Sequence, residues 1–307
     1  MKLKLDLMHC FLFVLFASMA PAISPTSAET LTDVPAIDWL PLTSTDAVLR
    51  SYNAADGSQT PYILDRWEIM ADNDELARKI ETLQKDPPTI IVVFGDYLSK
   101  YIAEKCPNLP QIQVLTLTPA TSANVTAINC EPDAGTIWKT ANSLLPNLHR
   151  LGILFSEAYG PNLELAKQLE ATAEKGKSVI RATVPRGLCR TDSDYQNCVA
   201  ALVKAGGCDL LYLPDDPNSS RFASTICEEA RAAKIPVLGT EATLGKGCVA
   251  ALMRNFDSAG KELSKVLAAR LANQRDVPPQ TVKVPTILKV DEARISGFTG
   301  LQVPQQP

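Results

Sequence analysis

The sequence predicts an α/β fold built on parallel sheet. Two observations carry this. Between Leu151 and Leu252, strand-length apolar runs (LGILF, VIRATV, DLLYLP, IPVLG, CVAAL) recur, with helix-length amphipathic segments between most of them. In the first half, Thr89–Phe94 (TIIVVF) is apolar at successive rather than alternate positions, as a parallel strand covered by helices on both faces must be.

Taken in order, residues 1–28 read as an export signal. Lys2 and Lys4 give a positive start, and Cys10–Ala20 is an apolar run too short to span a bilayer. Thr26-Ser27-Ala28 then offers small residues for cleavage before Glu29. A membrane anchor is the competing reading. Ile37–Leu42 is expected as a strand, Asp46–Ala54 as a short helix and Tyr62–Ile69 as a second strand. Asn73–Gln84 reads as a helix that places Leu76, Ile80 and Leu83 on one face. Strand Thr89–Phe94, helix Tyr97–Lys105 and strand Gln113–Leu117 follow.

Asn124–Asn129 is short and extended, and Trp138–Leu145 starts a new helix. Pro161 suits the first turn of a helix whose inner stripe is Leu165, Ala166, Leu169 and Ala173. Asp216-Pro217 opens another, with Phe222, Ile226 and Ala230 repeating every four residues. A long helix is expected over Ser258–Leu271, then a strand over Val282–Val290.

Composition narrows the function. Removing 1–28 takes two lysines and one aspartate from a chain of net charge −4, leaving −5, which argues against nucleic acid. The remaining 279 of 307 residues suit two lobes of ordinary size. Seven of the eight cysteines remain, with no CxxC pair, so zinc, iron–sulfur and haem sites have no support. Cys189 and Cys198 flank a polar loop and are the candidate disulfide; Cys208, Cys227 and Cys248 read as small buried hydrophobes.

Of two histidines, His9 leaves with the signal and His149 precedes its strand, so a nucleophile would lack its base. No GxGxxG follows a strand and no P-loop occurs, so no cofactor is expected; the Gly-Lys-Gly turn at 245–247 is a weak phosphate signal.

Ligands of open α/β sheets gather at the carboxyl ends of the strands, where helix amino termini offer unpaired N–H groups. That rule selects Ser44, Thr45, Gly95, Asp96 and Thr118 in the first lobe, and Ser156, Tyr159, Asn162, Asp215, Asp216, Thr240 and Glu241 in the second. Asp216 doubles as a helix cap before Pro217, and Tyr159 is either a surface ring or a stacking aromatic. Arg254 reads equally as a hinge ion pair and a ligand contact.

Five segments then carry a family resemblance: NVTAI at 124–128, SLLPNLHRLGILF at 143–155, CDLLYLPDD at 208–216, AAKIPVLGTEATLGKGCVAAL at 232–252, and the Gly260 helix. In order and spacing they resemble the exported substrate-binding proteins of ABC transporters with the type I periplasmic-binding-protein fold, in a branch described as an uncharacterised ABC-type transport system. The resemblance implies two Rossmann-like lobes joined by three crossings, hinged near Asn124-Val125 and Asn255-Phe256. It also implies delivery to a membrane permease and its ATPase. The chain departs from the family pattern at Ala127, where glycine is usual, at Asn255-Phe256, where Asp-Tyr is frequent, and in a shortened segment from Ser44 to Gly57.

The expected organisation is then signal 1–28, lobe one 29–125 with 255–281, lobe two 126–254 with 282–301, and a tail 302–307. The expected function is a monomeric periplasmic receptor that holds a small polar, amino-acid-like solute in an interlobe cleft. Asp215 and Glu241 would take an ammonium, and helix amino termini near Ser156 and Asp216 a carboxylate. A periplasmic sensor module is the alternative, and a hydrolase or isomerase using Asp215 and Asp216 is a third reading.

Overall fold

The structure is a computed structural model that describes residues 12–16, 63–67, 73–88, 90–116, 119–120, 122, 124–156, 160–184, 191–271 and 280–304. In chain order the elements are strands β1 (Leu12–Phe16) and β2 (Ile63–Trp67), helix α1 (Asn73–Lys85), β3 (Ile91–Phe94), α2 (Asp96–Lys105), β4 (Gln111–Val114) and β5 (Val125–Asn129). There follow α3 (Ala134–Leu144), β6 (Arg150–Ser156), α4 (Gly160–Thr172), β7 (Ser178–Val184), α5 (Asp192–Lys204), β8 (Leu210–Tyr212), α6 (Pro217–Arg221) and α7 (Ala223–Ala232). The chain closes with β9 (Val237–Thr240), β10 (Ala250–Met253), α8 (Phe256–Leu271), β11 (Thr281–Lys283), β12 (Ile287–Val290) and α9 (Glu292–Ile295). The elements expected at Ile37–Leu42 and Asp46–Ala54 lie outside the described residues.

Two compact units result. The first comprises Met1–Glu131 and Asn255–Val284, the second Pro132–Arg254 and Pro285–Pro307. Strand β5, beginning at Val125, therefore belongs wholly to the first unit, and the chain leaves that unit after Glu131.

The first unit holds a four-stranded parallel sheet in the order β11-β5-β4-β3. Strands β3, β4 and β5 are buried on both faces, and alternate residues of β3 go to different helices. Val92, Phe94, Ile112, Val114 and Ile128 pack with Ala259, Leu263 and Leu267 of α8. Ile91 and Val93 pack with Ile80 and Leu83 of α1 and Leu98 and Ile102 of α2. This is why TIIVVF is apolar throughout: neither face meets water. Ala127, where the family resemblance leads one to expect glycine, is buried in β5, and its amide donates to Gln280 O at 2.9 Å. Separately, β1 pairs antiparallel with β2, Leu12 opposite Trp67, so part of the expected leader forms a strand with the expected Tyr62–Ile69 segment.

The second unit holds six strands in the order β12-β10-β9-β8-β6-β7, parallel except for β12, which runs antiparallel to β10 at the edge. One face packs on α5 and α7 through Tyr195, Val199, Leu202, Ile226 and Ala230. The Tyr195 and Phe222 rings stack there with centroids 4.7 Å apart. Trp138 of α3 donates from Nε1 to Leu169 O of α4 at 2.9 Å, tying these two helices together.

Two expectations of single elements are corrected. The helix after Asp216-Pro217 is two helices, interrupted at Phe222. The strand expected over Val282–Val290 is also two: Thr281–Lys283 pairs with β5 in the first unit and Ile287–Val290 with β10 in the second. Pro285 lies between them and has no N–H for a ladder.

Candidate functional site

The carboxyl ends of β8, β9 and β10 lie side by side, because those strands are neighbours in the sheet. Each is followed by a charged residue: Asp215, Glu241 and Arg254. Arg254 Nη2 is 2.5 Å from Asp215 Oδ2, and the same guanidinium pairs with Glu241 Oε1. The Arg254 amide also donates to Glu241 Oε2 at 3.4 Å. The arginine side chain is 11 % exposed, Glu241 14 % and Asp215 32 %, so the set is desolvated on one side only. Two carboxylates and one guanidinium leave one net negative charge. Of the two readings of Arg254, the structure realises the ion pair, with both acids engaged.

Asp216 is fully buried and points elsewhere. Its Oδ2 accepts the Ser156 amide at 2.7 Å and its Oδ1 the Ser219 amide at 3.3 Å. It thus joins the end of β6 to the first turn of α6, which is the capping role its position before Pro217 suggested. The amino end of α6 is filled by this carboxylate. The adjacent acids Asp215 and Asp216 are held in separate networks, one on Arg254 and one on backbone amides, so they do not form the paired acids an acid–base mechanism needs.

Around these acids stand small polar groups. Asn162, in the first turn of α4, is 1 % exposed and donates from Nδ2 to Asp215 O at 3.2 Å. Ser220 Oγ donates to Asp215 Oδ1 at 3.2 Å. Thr240 ends β9; its amide donates to Thr243 Oγ1 at 3.0 Å, and that hydroxyl donates to Thr240 O at 2.8 Å. Gly239 makes the turn possible, since a Cβ there would collide with Thr243 Oγ1. The Thr240 and Ser219 hydroxyls are buried without a hydrogen-bond partner, which costs free energy unless something supplies one. Lys246, of the Gly-Lys-Gly turn, donates to Ser220 O at 2.8 Å and so ties that turn to the end of α6.

In the first unit, Gly95 follows β3 with φ 86° and ψ 156°, a conformation natural only to glycine, and among the described residues no atom lies within 4 Å of where a Cβ would be. Its amide donates to Val114 O at 3.0 Å. Asp96 opens α2, but its side chain lies outside the described residues, as do Ser44, Thr45, Thr118 and Tyr159. After β4, Leu115 has φ 57° and the Thr116 hydroxyl is buried without a partner. Gln113 Oε1 accepts the Ala120 amide at 2.9 Å, holding the following loop.

The expected hinge residues take local roles. Asn124 Nδ2 donates to Pro107 O at 2.9 Å and Val125 begins β5. Asn255 Oδ1 accepts the Ser258 amide at 3.0 Å, capping α8, and Phe256 packs against the first unit's core. Cys198 is a free thiol 3.6 Å from Thr183 O, so the expected disulfide is not formed on its side; Cys189 lies outside the described residues. Among the described residues no three His, Cys, Asp or Glu side chains are grouped to hold a metal, and no helix is long and apolar enough to cross a membrane.

The family profile described as ABC transporter substrate binding protein matches residues 67–291. The chain belongs to this family. No curated protein sequence matches it. Solved structures of the same fold include the ligand-free, open form of a substrate-binding protein with adhesive properties from Clostridium difficile. That structure is 16% identical with a TM-score of 0.66, covering 86% of this chain and 92% of its own. An ABC domain in complex with L-Trp from Streptococcus pneumonia is 18% identical at 0.63, with coverages of 85% and 93%. A sugar-binding protein of a sugar ABC transporter from Bacillus halodurans is 13% identical at 0.61, covering 83% and 96%. At these identities the likeness shows the type I periplasmic-binding-protein fold, and the family places the chain with small-molecule receptors of ABC transport.

Serine and threonine hydroxyls such as those of Ser219 and Thr116 escaped sequence reasoning. Thr116 follows β4 and Ser219 lies in the first turn of α6, but nothing in composition separates a buried, unpartnered hydroxyl from a solvated one.

Proposed function

We propose that this protein captures a small zwitterionic solute, amino-acid-like in chemistry, at the carboxyl edges of its sheets and delivers it to an ABC permease and its ATPase. The observation that carries the reading is the Asp215–Arg254–Glu241 set, which keeps one net negative charge beside buried, unpartnered hydroxyls. That charge favours an ammonium group. The amino end of α4, a helix of 13 residues beginning just past Ser156 at the same edge, favours a carboxylate.

Ligand binding in this reading is non-covalent, and the protein acts as a monomer. Export precedes it: residues 1–28 direct the chain to the periplasm and are removed before Glu29. Such cleavage takes β1 away and leaves β2 to the mature protein.

A thermal-shift screen of amino acids, short peptides, sugars and nucleosides tests the reading. A solute at 100 times its dissociation constant adds about 2.7 kcal/mol of stability. Amino acids should raise the melting temperature and Asp215→Ala should weaken the hit at least tenfold. A screen in which no solute stabilises the protein, or one whose hit ignores Asp215→Ala, overturns the assignment. Mass analysis of the exported protein should find Glu29 at its amino terminus.

A further inference from the structure

The first unit has a recess at the amino edge of its parallel sheet. A cavity of about 820 Å³ lies where Ile90, Pro110 and Asn124 lead into β3, β4 and β5, the amino edge of the parallel sheet. Its size is that of a small-molecule site.

Two cations line it, Arg270 and Lys105, the latter with Nζ 2.7 Å from Glu104 Oε1, and no acid is among its described lining residues. Arg270 is the unusual one. It is 9 % exposed, its Nη2 donates to Thr126 Oγ1 at 2.6 Å, and its Nε has no partner. Burial holds its guanidinium below the ordinary arginine value, with no carboxylate acting in the other direction. An arginine stays protonated in a protein, and a buried charge demands a counter-charge or strong hydrogen bonds. Among the described residues the protein supplies one threonine hydroxyl.

The rest of the lining is rich in proline and apolar side chains. Pro87, Pro88, Pro107 and Pro110 have fixed φ and no N–H, so they present no backbone donors. Leu83 and Leu109 complete an apolar lining. The loop after α2 is pinned by three side-chain amides from separate elements. Gln84 donates to Lys105 O at 2.8 Å, Gln111 to Cys106 O at 3.4 Å and Asn124 to Pro107 O at 2.9 Å. Of the last carbonyls of α2, Ile102 O accepts the Cys106 amide and Lys105 O the Gln84 side chain. What remains to recognise a ligand is the Arg270 guanidinium, with Lys105 and its partner Glu104 nearby, beside an apolar lining.

We propose that this cavity binds a small amphiphilic carboxylate, its head on Arg270 and Lys105 and its apolar body along the proline-rich wall. The site is independent of the solute site of the second unit, so either reading can fail without the other.

Equilibrium dialysis of radiolabelled octanoate against the purified full chain tests it. One saturable site per chain is expected, with octanamide failing to compete. Arg270→Gln should weaken octanoate at least tenfold, and Asp215→Asn should leave it unchanged. Gln84→Glu, at an exposed position on the rim, should weaken octanoate several-fold by adding a negative charge; it serves if Arg270→Gln does not fold. Absence of saturable binding, equal competition by octanamide, or undiminished binding in both lining variants overturns the proposal.

Discussion

Arg254 joins Asp215 and Glu241, its Nη2 2.5 Å from Asp215 Oδ2 and its Nε and Nη2 both on Glu241 Oε1. The guanidinium thus ties together the loops that follow three neighbouring strands. Removing it leaves two carboxylates facing each other, one of them well buried. Arg254→Met should cost about 2 kcal/mol of unfolding free energy, below the 3–5 typical of a fully buried broken pair because Asp215 is partly solvated. Adding Glu241→Gln should restore part of the loss, a coupling readable from urea midpoints of the four members of a double-mutant cycle.

Thr240→Val separates stability from binding. The Thr240 hydroxyl is buried without a partner, so an isosteric methyl removes an uncompensated polar group. The variant should melt at or above the wild-type temperature without solute, yet bind its solute more weakly. A drop in melting temperature with unchanged affinity would place the hydroxyl in the scaffold instead.

Gly239→Ala should destabilise the second unit by about 1–3 kcal/mol, the usual cost of overpacking a filled position. The new methyl displaces Thr243 Oγ1 from the Thr240 backbone and so loosens the turn that carries Glu241. Adding Thr243→Ala to Gly239→Ala should relieve the clash while leaving the turn hydrogen bonds lost, an outcome read from denaturant midpoints.

Two buried thiols make stability fall in alkali. Burial pushes Cys208 up to about 11 and Cys227 up to about 12, from an ordinary value of 9.0. Above pH 9 the unfolded chain releases these protons while the folded chain keeps them, so the unfolded state gains. Each thiol then removes about 1.4 kcal/mol per pH unit, until pH reaches its folded value. Cys227→Ala should flatten the decline of the urea midpoint between pH 9 and 11 relative to wild type. The same thiols should resist alkylation at pH 8 until the protein is unfolded.

The βα rhythm from Leu151 to Leu252 was legible because parallel strands are apolar on both faces and the helices between them on one. The same local reading could not assign a strand to a sheet. Thr281–Lys283 and Ile287–Val290 look like one apolar run, and only Pro285 and the partners β5 and β10 separate them. At the site, positions after the strands were legible from topology alone. Their pairing was not: Arg254 is 39 residues from Asp215 and 13 from Glu241, and a strand order has to be known before such residues can be called neighbours. Asp216 shows the converse, since its local signature before Pro217 announced a cap and the cap is what formed.

The passage of the chain from β11 into β12 has a consequence for biosynthesis. Each unit takes its last strand from residues beyond 280, so each sheet stays one strand short until that segment has been made. Until then β5 and β10 both present unpaired edges.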